Sequence, residues 1–331
     1  MKRTTVSLVA TCLVLASLAR ALTGDPAGLT PADTVVAATD TGSRLARIPI
    51  ELDRNRTIVK VQVADSRPQR LILDTGMPMD GVYLFHKNFT DEVTLESTIE
   101  VQVPGAGSGA PSTAIMADSV SLSAGAVVFG RQRVIVSHSE YTQGFPTDGI
   151  IGWSLFGHFA VEVDYDKMLI ALHAPGAFAA DSSWRALPMT LKENIPWITA
   201  AVDVLGQGQV PIGCYIDFAS GDAIELLVRQ DNKFPIPENL EQSYLGTGLS
   251  GDIHGGVGRV AALSIGGYTL RDVTATFPDA AVRSKQEDAD AIIGNQLLRR
   301  FNLVFDYADS VLWIRPNQAF AEAFERPGPR E

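Results

Sequence analysis

Cysteine is nearly absent from this chain. There are only two in 331 residues, Cys12 and Cys214. Cys12 lies in an N-terminal apolar run that reads as removable, so the mature chain would keep a single thiol and could form no internal disulfide. A disulfide framework is excluded, and stability must come from a buried core. Cations are also scarce, with Lys+Arg 27 against Asp+Glu 38 and a net charge of -11. Nucleic-acid binding draws on clustered Lys and Arg, so a nucleic-acid partner is not expected. His is scarce and scattered at positions 86, 138, 158, 173 and 254, and no His-Glu-x-x-His occurs. No zinc site is expected, nor any other metal or cofactor. No Gly-x-Ser-x-Gly elbow is present. After the N-terminus no apolar run approaches the ~20 residues of a membrane-spanning helix.

What is present begins with an address. Lys2 and Arg3 precede an apolar run from Val6 to Ala19, and Ala19-Arg20-Ala21 supplies small residues for cleavage. Residues 1–21 are therefore expected to be a signal peptide, and the mature protein to be exported, periplasmic or secreted. Asn55-Arg56-Thr57 and Asn88-Phe89-Thr90 match the glycosylation sequon, which matters only in a eukaryotic secretory route.

The remainder is written twice. Asp148-Gly-Ile-Ile-Gly152 aligns with Asp290-Ala-Ile-Ile-Gly294, and the match continues without a gap through Leu155/Leu297, Phe159/Phe301, Asp164/Asp306 and Tyr165/Tyr307. Upstream, Leu71-Ile-Leu-Asp74 lies over Cys214-Tyr-Ile-Asp217, and Ile48-Pro-Ile-Glu-Leu52 over Leu187-Pro-Met-Thr-Leu191. Three blocks in one order at nearly one offset indicate duplication. The expected layout is an extension over residues 22–45, lobes over 46–178 and 179–318, and a tail over 319–331. Residues 174–183, small and poor in large apolar side chains, read as the connection.

Period-2 alternation, as in Thr57-Ile-Val-Lys-Val-Gln-Val63, predicts strands. The segments 160–164 and 168–172, and their copies 302–306 and 311–314, predict one hairpin per copy. Helix is expected only over short pieces, residues 154–158 and 296–300. The chain reads as all-β.

An apolar strand ending in Asp74-Thr75-Gly76, followed at a distance by Ile150-Ile151-Gly152, resembles the aspartic peptidases of the pepsin and retropepsin group. Among these it is most similar to the bacterial, exported, two-copy aspartyl protease-like proteins. The resemblance covers roughly residues 46 to 316. It implies a bilobal acid-protease fold, two duplicated β lobes around a central cleft. It also implies an aspartic endopeptidase acting as a monomer on peptide or unfolded protein, without a cofactor. Two carboxylates held close cannot both ionise, so they share a proton and act as base and acid on one water. On this resemblance Asp74 and Asp217 form the dyad, and Thr75 and Gly76 shape the first loop. Ile150, Ile151 and Gly152, with Ile292, Ile293 and Gly294, brace the loops.

The second copy departs from the pattern. Phe218 replaces the Thr whose hydroxyl ties the loops, and Ala219 replaces the Gly. Three readings stand open: an active asymmetric enzyme whose second loop is held by apolar packing, a decayed site that binds peptides without cutting, and an Asp217 that is only a turn residue. Met77 follows Gly76 where pepsin-like sites often carry a Ser. Without that hydroxyl the lower dyad pKa is expected to rise, moving the optimum towards neutral. Residues 103–111 match the family's flap but lack its Tyr. Their counterpart, residues 246–258, reads equally as a mobile lid or a plain surface loop.

Other features have bland readings. Gly246-Thr-Gly-Leu-Ser-Gly251 fits a dinucleotide fingerprint but opens no helix. Asp148 and Asp290 are expected to be structural, Asp80 and Asp222 solvated, and Trp153, Trp184, Trp197 and Trp313 part of the core.

Overall fold

The computed structural model describes residues 44–229, 231–279 and 289–325. The expected signal peptide, nearly all of the extension and the end of the tail lie outside the described residues. The first copy runs β1 (Arg44–Asp53), β2 (Arg56–Val63), β3 (Gln69–Leu73), β4 (Val82–Leu84), a helical turn α1 (Phe89–Glu92), β5 (Ile99–Val103), β6 (Ser112–Ala124), β7 (Val127–Ser137), β8 (Gly149–Ile151), α2 (Trp153–Phe156), β9 (Ala160–Asp164) and β10 (Leu169–His173). The second runs β11 (Arg185–Pro188), β12 (Thr190–Lys192), β13 (Ile195–Asp203), β14 (Val210–Ile216), β15 (Ile224–Leu226), β16 (Glu241–Gly248), β17 (Gly251–Ile265), β18 (Tyr268–Pro278), β19 (Ala291–Ile293), α3 (Asn295–Leu298), β20 (Phe301–Asp306) and β21 (Val311–Pro316). Strands dominate, as the alternation predicts. The only helices among the described residues are single turns, and α2 and α3 begin one residue earlier than the pattern suggests.

The duplication is visible in the pairing. β3 runs parallel to β8, with Leu73 opposite Ile151, and β14 runs parallel to β19, with Ile216 opposite Ile293. In both copies the short strand that follows, β4 or β15, pairs antiparallel to the same partner. The central strands are covered on both faces, so Leu71-Ile-Leu73 and Ile150-Ile151 are continuously apolar rather than alternating. The chain ends each central strand on an aspartate.

The lobes are joined by hydrogen-bonded backbone. β9 pairs with β20, Val163 opposite Leu303, so the terminal hairpins of the two copies form one sheet that continues through β10 into β1 and β2. A buried polar knot lies beside this joint. The Tyr165 hydroxyl is 2.8 Å from Thr57 Oγ1 and donates to Asn295 Oδ1 at 2.7 Å. Asn295 Nδ2 donates in turn to the Asn55 carbonyl at 2.7 Å. Residues 319–325, at the start of the expected tail, pack on the second lobe. Buried Arg300 donates to the carbonyls of Ala319, Glu322 and Ala323, and its guanidinium stacks on Phe324. Trp184 is buried, while Trp153, Trp197 and Trp313 pack half-buried against apolar clusters.

Removing the Tyr165 hydroxyl leaves Thr57 and Asn295 each short of a partner. Tyr165→Phe is expected to cost about 1–2 kcal/mol in equilibrium urea unfolding; an unchanged midpoint would show that the knot contributes nothing across the joint.

Candidate active site

Asp74 and Asp217 stand at equivalent places. Asp74 N donates to the Ile151 carbonyl at 2.9 Å, and Asp217 N to the Ile293 carbonyl at 3.0 Å. The strands Ile150-Ile151 and Ile292-Ile293 thus brace the backbone at the two aspartates. Gly152 and Gly294 lie beneath the loops with no room for a side chain: a Cβ on Gly152 would meet the Asp74 carbonyl oxygen at 2.2 Å, and one on Gly294 the Asp222 carbonyl oxygen at 2.4 Å. Both carboxylates are buried. Gly76 N donates to Asp74 Oδ1 at 2.7 Å. Asp217 Oδ1 accepts from the amides of Ala219 and Ser220, both at 3.0 Å. Its Oδ2 is buried and has no hydrogen-bond partner among the described residues.

Burial, more than any other influence, holds the Asp217 carboxyl well above the usual carboxylate range; the charges of Asp74 and Glu225 push it further, against the pull of the two amides. Glu225 is a buried carboxylate that the repeat pattern did not single out. Its Oε1 accepts from Ser220 Oγ at 3.0 Å, on the loop that carries Asp217.

Thr75 Oγ1 donates to the Ile216 carbonyl at 2.7 Å and accepts from Phe218 N at 3.0 Å. The first loop therefore grips the second through one hydroxyl. Phe218 has nothing to return, and is fully buried instead. Its ring meets Phe156 at 6.2 Å and Phe305 at 5.6 Å, both edge-on. Ala219 is also fully buried, within the apolar cluster of the first lobe that holds Met77, Met79 and Ile150.

Two hairpin tips, one from each lobe, meet. The tip between β5 and β6 is the expected first flap. The second counterpart is not a plain surface loop: β16 and β17 form a long hairpin whose turn residues, Leu249 and Ser250, are fully buried. Ser250 N donates to the Ala106 carbonyl at 2.8 Å, Ser250 Oγ accepts from Gly105 N at 3.0 Å, and Ser112 Oγ donates to the Leu249 carbonyl. Leu249 enters the first-lobe cluster beside Met77, Val103 and Phe145. Gly107, at φ +122, lies against the Gly251 backbone, where a Cβ would sit 2.4 Å from the carbonyl oxygen. The glycines at 246 and 248 thus belong to a β-hairpin, not to a phosphate-binding turn.

Asp148 and Asp290 are structural. Asp148 accepts from Arg70 N and pairs with Arg67, and Asp290 accepts from Gly213 N and pairs with Lys233. The expectation for Asp80 and Asp222 is corrected. Asp80 is partly covered and pairs with His158 at 2.7 Å, which raises the His158 pKa. Asp222 is buried and accepts from Thr276 Oγ1 at 3.2 Å, because the β18 strand covers it. Among the described residues no group of three or more His, Cys, Asp and Glu is placed to hold a metal ion.

The architecture matches solved structures, among them a crystal structure of an aspartic proteinase from Irpex lacteus. That match has a TM-score of 0.51 at 12% identity and covers 85% of this chain and 99% of the other. The fold is that of the pepsin-like aspartic proteases. No family model and no curated protein matches the sequence. The relationship is therefore carried by the fold and not by overall sequence identity.

Two predictions follow from this environment. Phe218→Thr would restore a hydroxyl but leave a cavity beside the Phe156–Phe305 ring pair. It is expected to destabilise the protein by about 3 kcal/mol in denaturant unfolding; an unshifted midpoint would refute aromatic support of the second loop. Asp217 has its folded pKa raised, so its contribution to stability is fully present below the unfolded value of 3.8 and is lost as pH rises through the folded value. Asp217→Asn should therefore raise Tm at pH 7 relative to the parent, with the gain vanishing below about pH 4. A gain independent of pH would contradict the assignment.

Proposed function

We propose that this chain is an aspartic endopeptidase that hydrolyses peptide bonds with a water activated between Asp74 and Asp217. The observation that carries the reading is the pair of buried aspartates ending equivalent strands, with the charge of Asp74 pushing up the pKa of Asp217. In this mechanism the pair holds one proton. Asp217, disfavoured as an anion, keeps it, and Asp74, with the Gly76 amide on Oδ1, carries the charge. Asp74 removes a proton from the water as its oxygen attacks the scissile carbonyl carbon, and Asp217 gives its proton to the carbonyl oxygen. The resulting tetrahedral diol collapses when a proton passes from Asp74 to the amide nitrogen and a diol hydroxyl returns its proton to Asp217. This breaks the C–N bond and restores the starting state without a covalent intermediate.

The substrate on this reading is an unfolded or extended peptide, admitted when the two hairpin tips separate. We further propose that the protein acts as an exported monomer, periplasmic or secreted, of the kind seen in bacterial two-copy aspartyl protease-like proteins. The N-terminal pattern of residues 1–21 supports export. Among the described residues no helix is long and apolar enough to cross a membrane.

A second reading has its own support. Phe218 removes half of the reciprocal tie between the loops, and a protein so altered could bind peptides in the cleft without cutting them. The deciding experiment incubates the purified chain with unfolded protein across pH 3 to 8, beside Asp74→Asn and Asp217→Asn. Cleavage by the parent and loss of at least 100-fold in both variants is expected. A folded parent that cleaves nothing at any pH, yet retains peptide, would establish the binding reading instead.

A further inference from the structure

Each aspartate loop is held from the opposite lobe by the same small device. The turn between β1 and β2 places Arg54 and Asn55 at φ 48 and 61, and the turn between β12 and β13 places Glu193 and Asn194 at φ 50 and 66. Two successive residues of positive φ make the tight hairpin turn that suits strand twist, and Asn tolerates that conformation well. Asn55 Nδ2 donates to the Gly221 carbonyl at 3.3 Å, and Asn194 Nδ2 to the Pro78 carbonyl at 2.9 Å. Gly221 and Pro78 each stand four residues after their aspartate. The two asparagines are therefore repeat partners crossing in opposite directions.

The two sides then diverge. Next to Asn55 is Arg56, a buried arginine whose Nε donates to the Ala219 carbonyl at 3.1 Å. That carbonyl belongs to the peptide group whose N–H, on Ser220, donates to Asp217 Oδ1 at 3.0 Å. One peptide plane is thus fixed between a guanidinium of the first lobe and the carboxylate of the second. A hydrogen bond at one end of a peptide group polarises it and strengthens the bond at the other. The repeat position of Arg56 holds an apolar residue, Ile195, in the second lobe. The additional contact is found only where the loop lacks a hydroxyl.

We propose that Asn55, Arg56 and Asn194 form an interlobe clasp on the two aspartate loops. Arg56 is the positioning residue for Asp217, replacing the restraint that a hydroxyl at position 218 would supply. It acts through the Ala219–Ser220 peptide. This inference rests on the dyad reading for its catalytic consequence, but the restraint on the loop is measurable without catalysis.

The test uses the full chain with Arg56→Met, Arg56→Lys and Asn194→Gly, the glycine keeping the positive φ accessible. Amide hydrogen exchange and hydrolysis of unfolded protein are measured on each. In Arg56→Met, exchange over residues 217–221 should quicken at least tenfold while β17 and β18 keep their protection. Its kcat should fall about 10- to 100-fold with KM within about twofold, as expected when geometry and not binding is lost. Arg56→Lys should recover part of both. Parent-like exchange over 217–221 in Arg56→Met overturns the clasp, as does loss of protection spread evenly over the chain. A parent that cleaves nothing, combined with local loosening in Arg56→Met, would sink the dyad reading and leave the clasp standing. A cleaving parent with kinetics and exchange unchanged in Arg56→Met would do the reverse. Should Arg56→Met fail to fold, Asn194→Gly decides: faster exchange confined to residues 74–79 supports the clasp, and parent-like exchange there overturns it.

Discussion

The hydroxyl of Thr75 is the interaction on which the centre of this molecule turns. It gives a hydrogen bond to one backbone group of the second aspartate loop and takes one from another, both within 3.0 Å. Two lobes joined only by a shared sheet could rock against each other. A buried hydroxyl wedged between a carbonyl and an amide of the other lobe sets the separation of the two loops, because leaving any of these polar groups unpaired in an apolar setting would be costly.

The rest of the centre compensates for this tie being single. In a symmetric arrangement each loop would both give and receive a hydroxyl bond. Here Phe218 gives an aromatic ring instead, packed edge-on against the Phe156–Phe305 pair, and its burial anchors the second loop by packing. Packing is strong but non-directional. Direction comes from the backbone amides of Ala219 and Ser220 converging on Asp217 and from the arginine behind them. The carboxylate so placed is far from comfortable as an anion: it is buried, and the charges of Asp74 and Glu225 oppose its ionisation. On the proposed reading such an environment separates two like groups into an acid and a base. On the same reading, the two hairpin tips that meet across the lobes must separate to admit substrate.

Much of this was legible in order along the chain. The duplicated Asp-x-Ile-Ile-Gly blocks marked two equivalent apolar strands, and the structure adds that they pair in parallel with β3 and β14, where strands buried on both faces need unbroken apolar runs. The Asp-Thr-Gly turn foretold the first loop. The second hairpin tip was ambiguous, since a glycine-rich stretch looks the same whether it wanders over a surface or packs tightly against another backbone. Asp222 is expected to be solvated from its place near the second loop, and only the strand laid over it makes it buried. Glu225, Asn55, Arg56 and Asn194 carried no local signal beyond a two-residue turn, and Arg56 sits in a sequon-like triplet that points elsewhere.

The sequence by itself determined the two-fold design, the strand that delivers each aspartate, and the loss of the second hydroxyl. These are matters of local pattern, repeated at a nearly constant offset, and strand periodicity writes them into neighbouring residues. What holds Asp217 in place was decided only by the tertiary structure. Its supports come from Thr75, from the β1–β2 turn and from aromatic rings on α2 and β20. Those contacts depend on how two lobes twist and dock, a geometry set by the summed packing of both sheets rather than by any short stretch of chain.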